Sequence, residues 1–274
     1  MFYNSTDPAF RFVPVSKNPA SSEDRLLVQR TFRNSRLFKD WPDEQVQELC
    51  AGARVIRAAG GENIVRQGEV LNGLYVIATG CVEIGLARAD GRHFIRRFAE
   101  PGYVFGFPSV FDGKGTSFSY KAHELAQLVF VRKPDFLSIL ERHPELWLSV
   151  VREVVGYQRL TLDAIEESMF ERFEVRLARL LVSLAEAFGV REGRGTAIHI
   201  KLTQDSLGHL LGATRQSVSR ELKRFEKDGL IIINYGRITL ANPPALERIA
   251  QAPTSIPLTT RADLSELTRE HRRR

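Results

Sequence analysis

The spacing of apolar residues changes along this chain, and the change separates two kinds of structure. From residue 53 to 132, short apolar or alternating stretches such as ARVIRA, LYVIAT, CVEIGLA and QLVFVR are separated by glycines. Several short strands with turn residues between them predict an antiparallel sandwich or barrel. After Pro134 the apolar residues recur every three or four positions, which is the period of an α-helix.

The segment up to residue 170 predicts one long helix with an apolar stripe. Two arrangements would bury this stripe: packing on the β domain of the same chain, or pairing with a second copy. Polar Gln158 and Thr161 within the stripe favour pairing. The seam residues, which follow steps of three and four, are Val151, Val154, Gln158, Thr161, Ile165 and Ser168.

A third block, from about residue 171 to 250, contains the stretch LTQDSLGHLLGATRQSVSREL. This stretch predicts two short helices joined by a tight turn, followed by two strands around Tyr235 and Gly236. Thr203 and Thr214 are suited to cap the two helices, and Gly212 is suited to end the first in a left-handed conformation. Together they predict a winged helix-turn-helix.

The second of these helices has two chemically different faces. Val218, Leu222 and Phe225 share the apolar face, whereas long hydrogen-bond donors share the other. In a helix-turn-helix the second helix enters the DNA major groove, where Arg pairs with guanine and Gln with adenine. The alternative is a helical hairpin with an ordinary solvated face. The predicted DNA-binding residues are Thr203, Thr214, Arg215, Gln216, Ser217, Ser219, Arg220 and Lys223, with Arg224 and Lys227 as further phosphate contacts.

Composition and charge agree with this interpretation without establishing it. The 274 residues carry a formal net charge of +6, which is compatible with a polyanionic partner such as double-stranded DNA. No apolar run approaches the roughly 18 residues that span a bilayer, and the N-terminus lacks a secretory pattern. No membrane partner is therefore predicted. Because the chain has only Cys50 and Cys81, we expect it to work in a reducing cytoplasm.

Four segments resemble one known family, in the family's order, between about residues 36 and 242. GGENIVRQGEVLNGLYVIATGCVEI is similar to the opening of its β-roll, and PGYVFGFPSVFDGKGTSFSYKA to its effector-binding cassette. ERHPELWLSVVREVV is similar to the start of its dimerisation helix, and TRQSVSREL to its recognition helix. The family is the cyclic-AMP receptor protein and fumarate–nitrate regulator (Crp/Fnr) superfamily of bacterial transcription regulators. The resemblance implies a homodimer that binds a two-fold symmetric operator and contacts RNA polymerase.

Taken together, the pattern and the resemblance predict an α+β fold in five parts. A cyclic-nucleotide-binding-like β-roll of the jelly-roll type is followed by a long helix and a C-terminal winged helix-turn-helix. The predicted bounds are 1–30 for a flexible arm, 31–141 for the β-roll, 142–170 for the dimerisation helix, 171–250 for the DNA-binding domain and 251–274 for a flexible tail.

The effector cassette departs from that of the family's cyclic-AMP binders. Phe107 stands where they have the glutamate that holds the ribose, and Thr116, followed by Ser117, stands where they have the phosphate-binding arginine. The sequence therefore predicts that no side chain neutralises a cyclic phosphate and that cyclic AMP is not the effector. Aromatic residues here would line an apolar effector pocket or fill the core, and the core is favoured. The candidate pocket residues are Phe105, Gly106, Phe107, Pro108, Thr116, Ser117 and Thr161.

Cofactor and enzyme chemistry have little support in the sequence. An iron–sulfur sensor needs about four cysteine ligands, Cys81 is predicted to be a core residue, and the histidines form no ligand-spaced pair. No metal, cofactor or catalytic residue is therefore predicted, and the chain is not expected to be an enzyme. A second function class is a ligand-binding module that acts on a protein partner, with the C-terminal block as a lid. Arg215 and Arg220 at one helix end favour DNA binding instead.

Overall fold

The structure is a computed structural model that describes residues 21–88, 93–193, 195–234 and 236–251. The predicted arm before residue 21 and the predicted tail after residue 251 lie outside the described residues. From residue 22 onward the prediction of an arm up to residue 30 is wrong, because Ser22–Asn34 form helix α1. The Ser21 hydroxyl caps this helix, and Val28 and Phe32 are buried in the core of the β domain.

The β domain consists of two four-stranded antiparallel sheets, as the alternating stretches predict. Ile77, Ile84 and Leu128 are fully buried between the sheets. The strands are β1 (Arg54–Ala58), β2 (Asn63–Val65), β3 (Gly73–Thr79), β4 (Val82–Ala87), β5 (His93–Ala99), β6 (Val104–Phe105), β7 (Ser119–Ala122) and β8 (Ala126–Arg132). The strand orders are β1-β8-β3-β6 and β2-β7-β4-β5.

Helices surround the β domain and lead out of it. The predicted long helix begins at Trp147 rather than at residue 142, because Pro144 interrupts the helical run and starts a separate 3-10 turn, Pro144–Leu146. It ends at Phe170, as predicted. The helices are α2 (Asp43–Gly52), α3 (Phe107–Asp112), α4 (Lys133–Arg142) and α5 (Trp147–Phe170).

The C-terminal domain contains the predicted helix-turn-helix and the strand pair after it. The hairpin formed by β9 and β10, and the last helix, are additional elements that the sequence pattern did not predict. The elements are α6 (Phe173–Phe188), β9 (Gly189–Glu192), β10 (Gly195–Ile198), α7 (Gln204–Leu211), α8 (Arg215–Lys227), β11 (Ile231–Asn234), β12 (Arg237–Leu240) and α9 (Pro243–Ala250). The four strands pair in the order β11-β12-β10-β9.

The two domains share a continuous apolar contact. Cys81, Ile95 and Phe98 of the β-roll are buried in the same cluster as Leu207 and Leu211 of helix α7. Cys81 is fully buried, as predicted, and this burial raises the pKa of its thiol well above the ordinary value. The contact places strand β5 directly against the DNA-binding domain.

Candidate functional site

Helix α7 is positioned by local interactions that its sequence encodes. The Thr203 hydroxyl accepts a hydrogen bond from the Ser206 N–H at 3.0 Å, and the Ser206 hydroxyl lies 3.0 Å from the Thr203 nitrogen, which completes a capping box. Gly212 ends the helix with a φ of +60°. A Cβ atom at Gly208 would lie 2.7 Å from the Ala213 carbonyl oxygen, so only glycine allows this tight turn.

Helix α8 buries one face and presents the other to solvent. Val218, Leu222 and Phe225 are buried in the core of the domain. The Thr214 hydroxyl caps the helix by accepting from the Ser217 N–H at 3.2 Å. The Ser217 hydroxyl lies 3.0 Å from that of Thr214, so it belongs to the cap. The remaining predicted DNA-binding residues, Arg215, Gln216, Ser219, Arg220 and Lys223, lie together on the opposite face, and the last four line one shallow depression.

Acidic residues contact arginines of α8, and the sequence pattern did not predict these contacts. Asp205, in the first turn of α7, lies 3.6 Å from the Arg215 guanidinium. Arg224 forms an ion pair with Glu174 of α6 and lies 3.4 Å from Glu221. The proposed phosphate contact of Arg224 stays a prediction, and in this structure its guanidinium pairs with carboxylates of the same domain.

Histidines gather where the β-roll meets α7. His93 Nε2 lies 3.2 Å from the Glu83 carboxylate, and the His93 ring lies 4.8 Å from that of His209, centroid to centroid. His123 Nε2 lies 2.7 Å from the Lys201 carbonyl oxygen. Spacing in the sequence gave no signal for this grouping. Within the described part of the chain, no group of three His, Cys, Asp or Glu residues is arranged to hold a metal ion.

The seven candidate pocket residues meet at one cavity in the β-roll. Its volume is about 340 Å³, and helix α5 closes one side of it through Val154, Tyr157, Gln158 and Thr161. Phe105 and Phe107 are both buried and both line the cavity, so they belong to the core and to the cavity wall. The β-roll part of the lining includes Ile84, Arg96, Tyr103, Val104, Phe105, Gly106, Phe107, Pro108, Phe111, Thr116, Ser117, Phe118 and Tyr120.

Arg96 is a cationic side chain in the cavity lining that the prediction about a cyclic phosphate did not consider. It extends from β5 into the cavity lining, where its Nη2 atom donates to the Thr161 hydroxyl across 2.6 Å. Its guanidinium carbon lies 5.5 Å from the centre of the Phe118 ring. Thr116 stands at the position of the family's phosphate-binding arginine, whereas the cation in this lining comes from strand β5.

Helix α5 is fastened to the cavity wall on one side and exposed on the other. The Tyr157 hydroxyl oxygen lies 2.8 Å from the Val104 carbonyl oxygen. The same hydroxyl accepts a hydrogen bond from the Val104 N–H at 3.2 Å. Burial raises the pKa of this hydroxyl far above its ordinary value, so it stays protonated. The exposed apolar side chains of the helix are Trp147, Leu148, Val151, Val154, Val155, Leu160, Leu162, Ile165, Met169 and Phe170.

Comparison with known proteins supports both halves of this architecture. The cyclic nucleotide-binding domain family matches residues 55–143, and the Crp-like helix-turn-helix domain family matches residues 175–249. The CRP-like cAMP-activated global transcriptional regulator of Mycobacterium tuberculosis is 29% identical over 192 residues, which cover 70% of this chain and 85% of that protein. The fumarate and nitrate reduction regulatory protein of Escherichia coli is 26% identical and covers 69% of this chain and 76% of its own length.

A solved structure agrees on the fold. FixK2 from Bradyrhizobium japonicum aligns with a TM-score of 0.64 at 20% identity, over 73% of this chain and 98% of that one. The chain therefore belongs to the Crp/Fnr superfamily. It is a transcription regulator with a helix-turn-helix DNA-binding domain. Within the described residues, no helix is long and apolar enough to cross a lipid bilayer.

Proposed function

We propose that the protein binds a specific two-fold symmetric operator as a homodimer, with one α8 helix of each copy in the major groove. The observation that carries this proposal is the face of α8 opposite Val218, Leu222 and Phe225, where long donors are exposed side by side. Arg215 and Arg220 each donate two hydrogen bonds to a guanine, and Gln216 pairs with an adenine.

The other predicted contacts position these side chains on the duplex. Lys223 lies on the same exposed face and binds a phosphate. Thr203, Thr214 and Ser217 fix the starts of α7 and α8, and the free N–H groups at those helix starts face the backbone of the DNA. Ser219 lines the same depression and contacts an adjacent base or phosphate.

Fluorescence anisotropy with a labelled duplex tests the role of α8. The duplex carries an operator selected by the full-length protein, and the variants Arg215→Ala and Glu247→Ala are compared with the wild type. Arg215→Ala should weaken operator binding by about 1–3 kcal/mol, whereas Glu247→Ala, at an exposed position on α9 outside the proposed contact set, should have little effect. Equal binding by Arg215→Ala and wild type would reject the proposed contacts.

The exposed apolar face of α5 supports the dimer. Val151 is 51% exposed and Ile165 is 47% exposed, although both are large apolar residues of the seam. A second copy of the same helix would cover this face. In light scattering, the wild type should have twice the mass of one chain, and Ile165→Glu should have the mass of one chain. Asp163→Lys, on the opposite side of the helix, should remain a dimer.

We also propose that the β-roll cavity holds an effector other than cyclic AMP. No acidic residue is present among the described residues that line it, so a ribose hydroxyl would find no carboxylate there. The Thr116 hydroxyl is already within 3.2 Å of the Phe118 carbonyl oxygen. Calorimetric titration should detect no cyclic-AMP binding, and a micromolar or tighter Kd would overturn this proposal.

Resemblance to the family supports two further parts of the proposal. The DNA-bound dimer acts in the cytoplasm and contacts RNA polymerase next to its operator. Transcription in a purified system, from templates with and without the selected operator, tests that contact. A template-dependent change in transcript yield is expected, and equal yields from both templates would contradict it.

A further inference from the structure

Among the described residues that line the β-roll cavity, Arg96 is a cation and none is an acid. Arg96 is half-buried in the lining and donates to a neutral hydroxyl, that of Thr161. Among the described residues, no carboxylate forms an ion pair with it. A partly buried guanidinium without an anionic partner is costly, and an anion that enters the cavity removes that cost.

The next residue along strand β5, Arg97, is an arginine whose charge is paired with a carboxylate. Arg97 lies 2.9 Å from the Glu100 carboxylate, and its guanidinium carbon lies 4.7 Å from the centre of the Tyr103 ring. It is not part of the cavity lining. Ile84 of β4 pairs with Arg97 and Gly85 pairs with Ile95, so Arg96 is the extra residue of a β-bulge in β5. At this bulge Arg96 reaches the cavity lining, whereas Arg97 does not.

The tyrosines of the cavity do not supply a negative charge. Burial raises the pKa of Tyr103 to about 12, although Arg97 and Arg96 act in the opposite direction. Burial also raises the pKa of Tyr120. Both hydroxyls are therefore protonated at neutral pH. Glu153 lies behind Tyr157, with its carboxylate 2.6 Å from that hydroxyl, and is outside the lining.

The rest of the lining is built from flat apolar surfaces. Phe105 and Tyr120 are stacked with ring centres 4.0 Å apart and an interplanar angle of 10°. Phe107 and Phe111 are also stacked, at 6.1 Å, and Phe111 is 42% exposed at the edge of the cavity. Such walls favour a flat, apolar body over a hydroxyl-rich one.

We propose that the effector is a small organic anion with an aromatic body, whose carboxylate or sulfonate binds Arg96 while its ring lies against the phenylalanines. This proposal rests on the proposed function of the cavity and names the chemical class of its ligand. Arg96 donates to Thr161 of α5 in the present structure, and the anion replaces that hydroxyl as its acceptor. Ligand binding therefore changes a contact between strand β5, which packs on the DNA-binding domain, and helix α5.

Two dyes of nearly the same shape test the proposal on the full-length protein. The first is 8-anilinonaphthalene-1-sulfonate, and the second is N-phenyl-1-naphthylamine, which lacks the sulfonate. Fluorescence titrations use the wild type, Arg96→Met, Arg96→Lys and Arg97→Met, after melting curves show that each variant is folded. Arg96→Met should weaken binding of the sulfonate dye at least about tenfold and leave the neutral dye within about twofold. The affinity of Arg96→Lys for the sulfonate dye should lie between those of the wild type and Arg96→Met. The affinity of Arg97→Met should equal that of the wild type.

The outcomes separate this proposal from the function on which it rests. Equal weakening of both dyes by Arg96→Met, or equal weakening of the sulfonate dye by Arg96→Met and Arg97→Met, would overturn the anion site. Displacement of the sulfonate dye by cyclic AMP would instead overturn the proposed exclusion of cyclic AMP and support Arg96 as the anion-binding residue. Operator binding by the same samples reports on the DNA-binding function independently of either dye.

Discussion

The Arg215 guanidinium lies 3.6 Å from the Asp205 carboxylate, so an ion pair connects the first turns of α7 and α8. Both side chains are more than half exposed, at 69% and 57%. An exposed pair of this kind contributes little to stability. Under the proposed function, Asp205 would compete with DNA for one of the two arginines proposed to read guanines.

Removing that competitor should strengthen contact with DNA in general. We expect Asp205→Asn to bind non-operator duplex more tightly than wild type and to steepen the dependence of log K on log salt by about 1. Asp228→Asn removes the same charge at the other end of α8 and should leave the slope unchanged. Anisotropy titrations over a range of salt concentrations measure both slopes, and an unchanged slope for Asp205→Asn would show that Arg215 is not limited by this pair.

Arg220 and Lys223 should differ in the kind of binding they support. We expect Arg220→Ala to weaken the binding free energy for the operator by about 1–3 kcal/mol. The variant should also bind equally well when one guanine of the operator is replaced. Lys223→Ala should weaken operator and unrelated duplex alike and reduce the salt slope by about 1. Competition experiments with single-base operator variants distinguish the two. Uniform weakening by both variants would mean that Arg220 binds only the backbone.

The turn between α7 and α8 depends on the absence of a side chain at residue 208. Gly208→Ala should destabilise the protein by about 1–3 kcal/mol, because its Cβ would lie 2.7 Å from the Ala213 carbonyl oxygen. Gly156→Ala is the matched control, since it is also helical but has open space around the added atom. It should stabilise α5 by about 0.5–1 kcal/mol. Urea unfolding measures both, and equal effects would refute the steric argument.

Stability should also depend on pH through His123. Burial disfavours its charged form, but the Glu83 carboxylate and the Lys201 carbonyl outweigh burial and raise its pKa above the ordinary value. A raised folded-state pKa gives stability that is complete below about pH 6.5 and is lost as pH rises through the folded value. Burial lowers the pKa of His93. The contribution of His93 to the free energy of unfolding therefore changes with pH below about 6.5, outside the range in which His123 acts. Urea unfolding should show that the free energy of unfolding falls as pH rises above about 6.5.

His123→Gln is the variant that isolates this effect. Its free energy of unfolding should be lower than that of the wild type at about pH 6.5 and should change less as pH rises above that value. Lys201 N–H donates to Glu124 at 2.8 Å and keeps the neighbouring contact in place. If the variant followed the same pH profile as the wild type, the pH dependence would have to come from another group.

The helix-turn-helix was predictable because its signals are local. Thr203, Gly212 and Thr214 stand within one short stretch, and each fixes the backbone next to it. The β-roll was predictable for a similar reason, since its strands alternate and its turns contain glycine. Hairpin β9–β10 was not predicted, because its strands Gly189–Glu192 and Gly195–Ile198 are short and one of them is largely polar.

The missed parts of the site depend on contacts between distant residues. Arg96 and Thr161 are 65 positions apart, and strand pairing and the path of α5 bring them together. Glu174 reaches Arg224 across 50 positions in the same way. A single sequence shows which residue types are present, but it does not show which strand places a cation in a cavity.

Selection from a library of random duplexes by the full-length protein tests the proposed role of α8 most directly. The selected sites should contain two symmetric half-sites about 34 Å apart along the duplex, with guanines at the positions read by Arg215 and Arg220. The base read by Gln216 should be adenine rather than cytosine. Sites with cytosine at that position, or no enriched symmetric sequence at all, would contradict the proposed operator recognition.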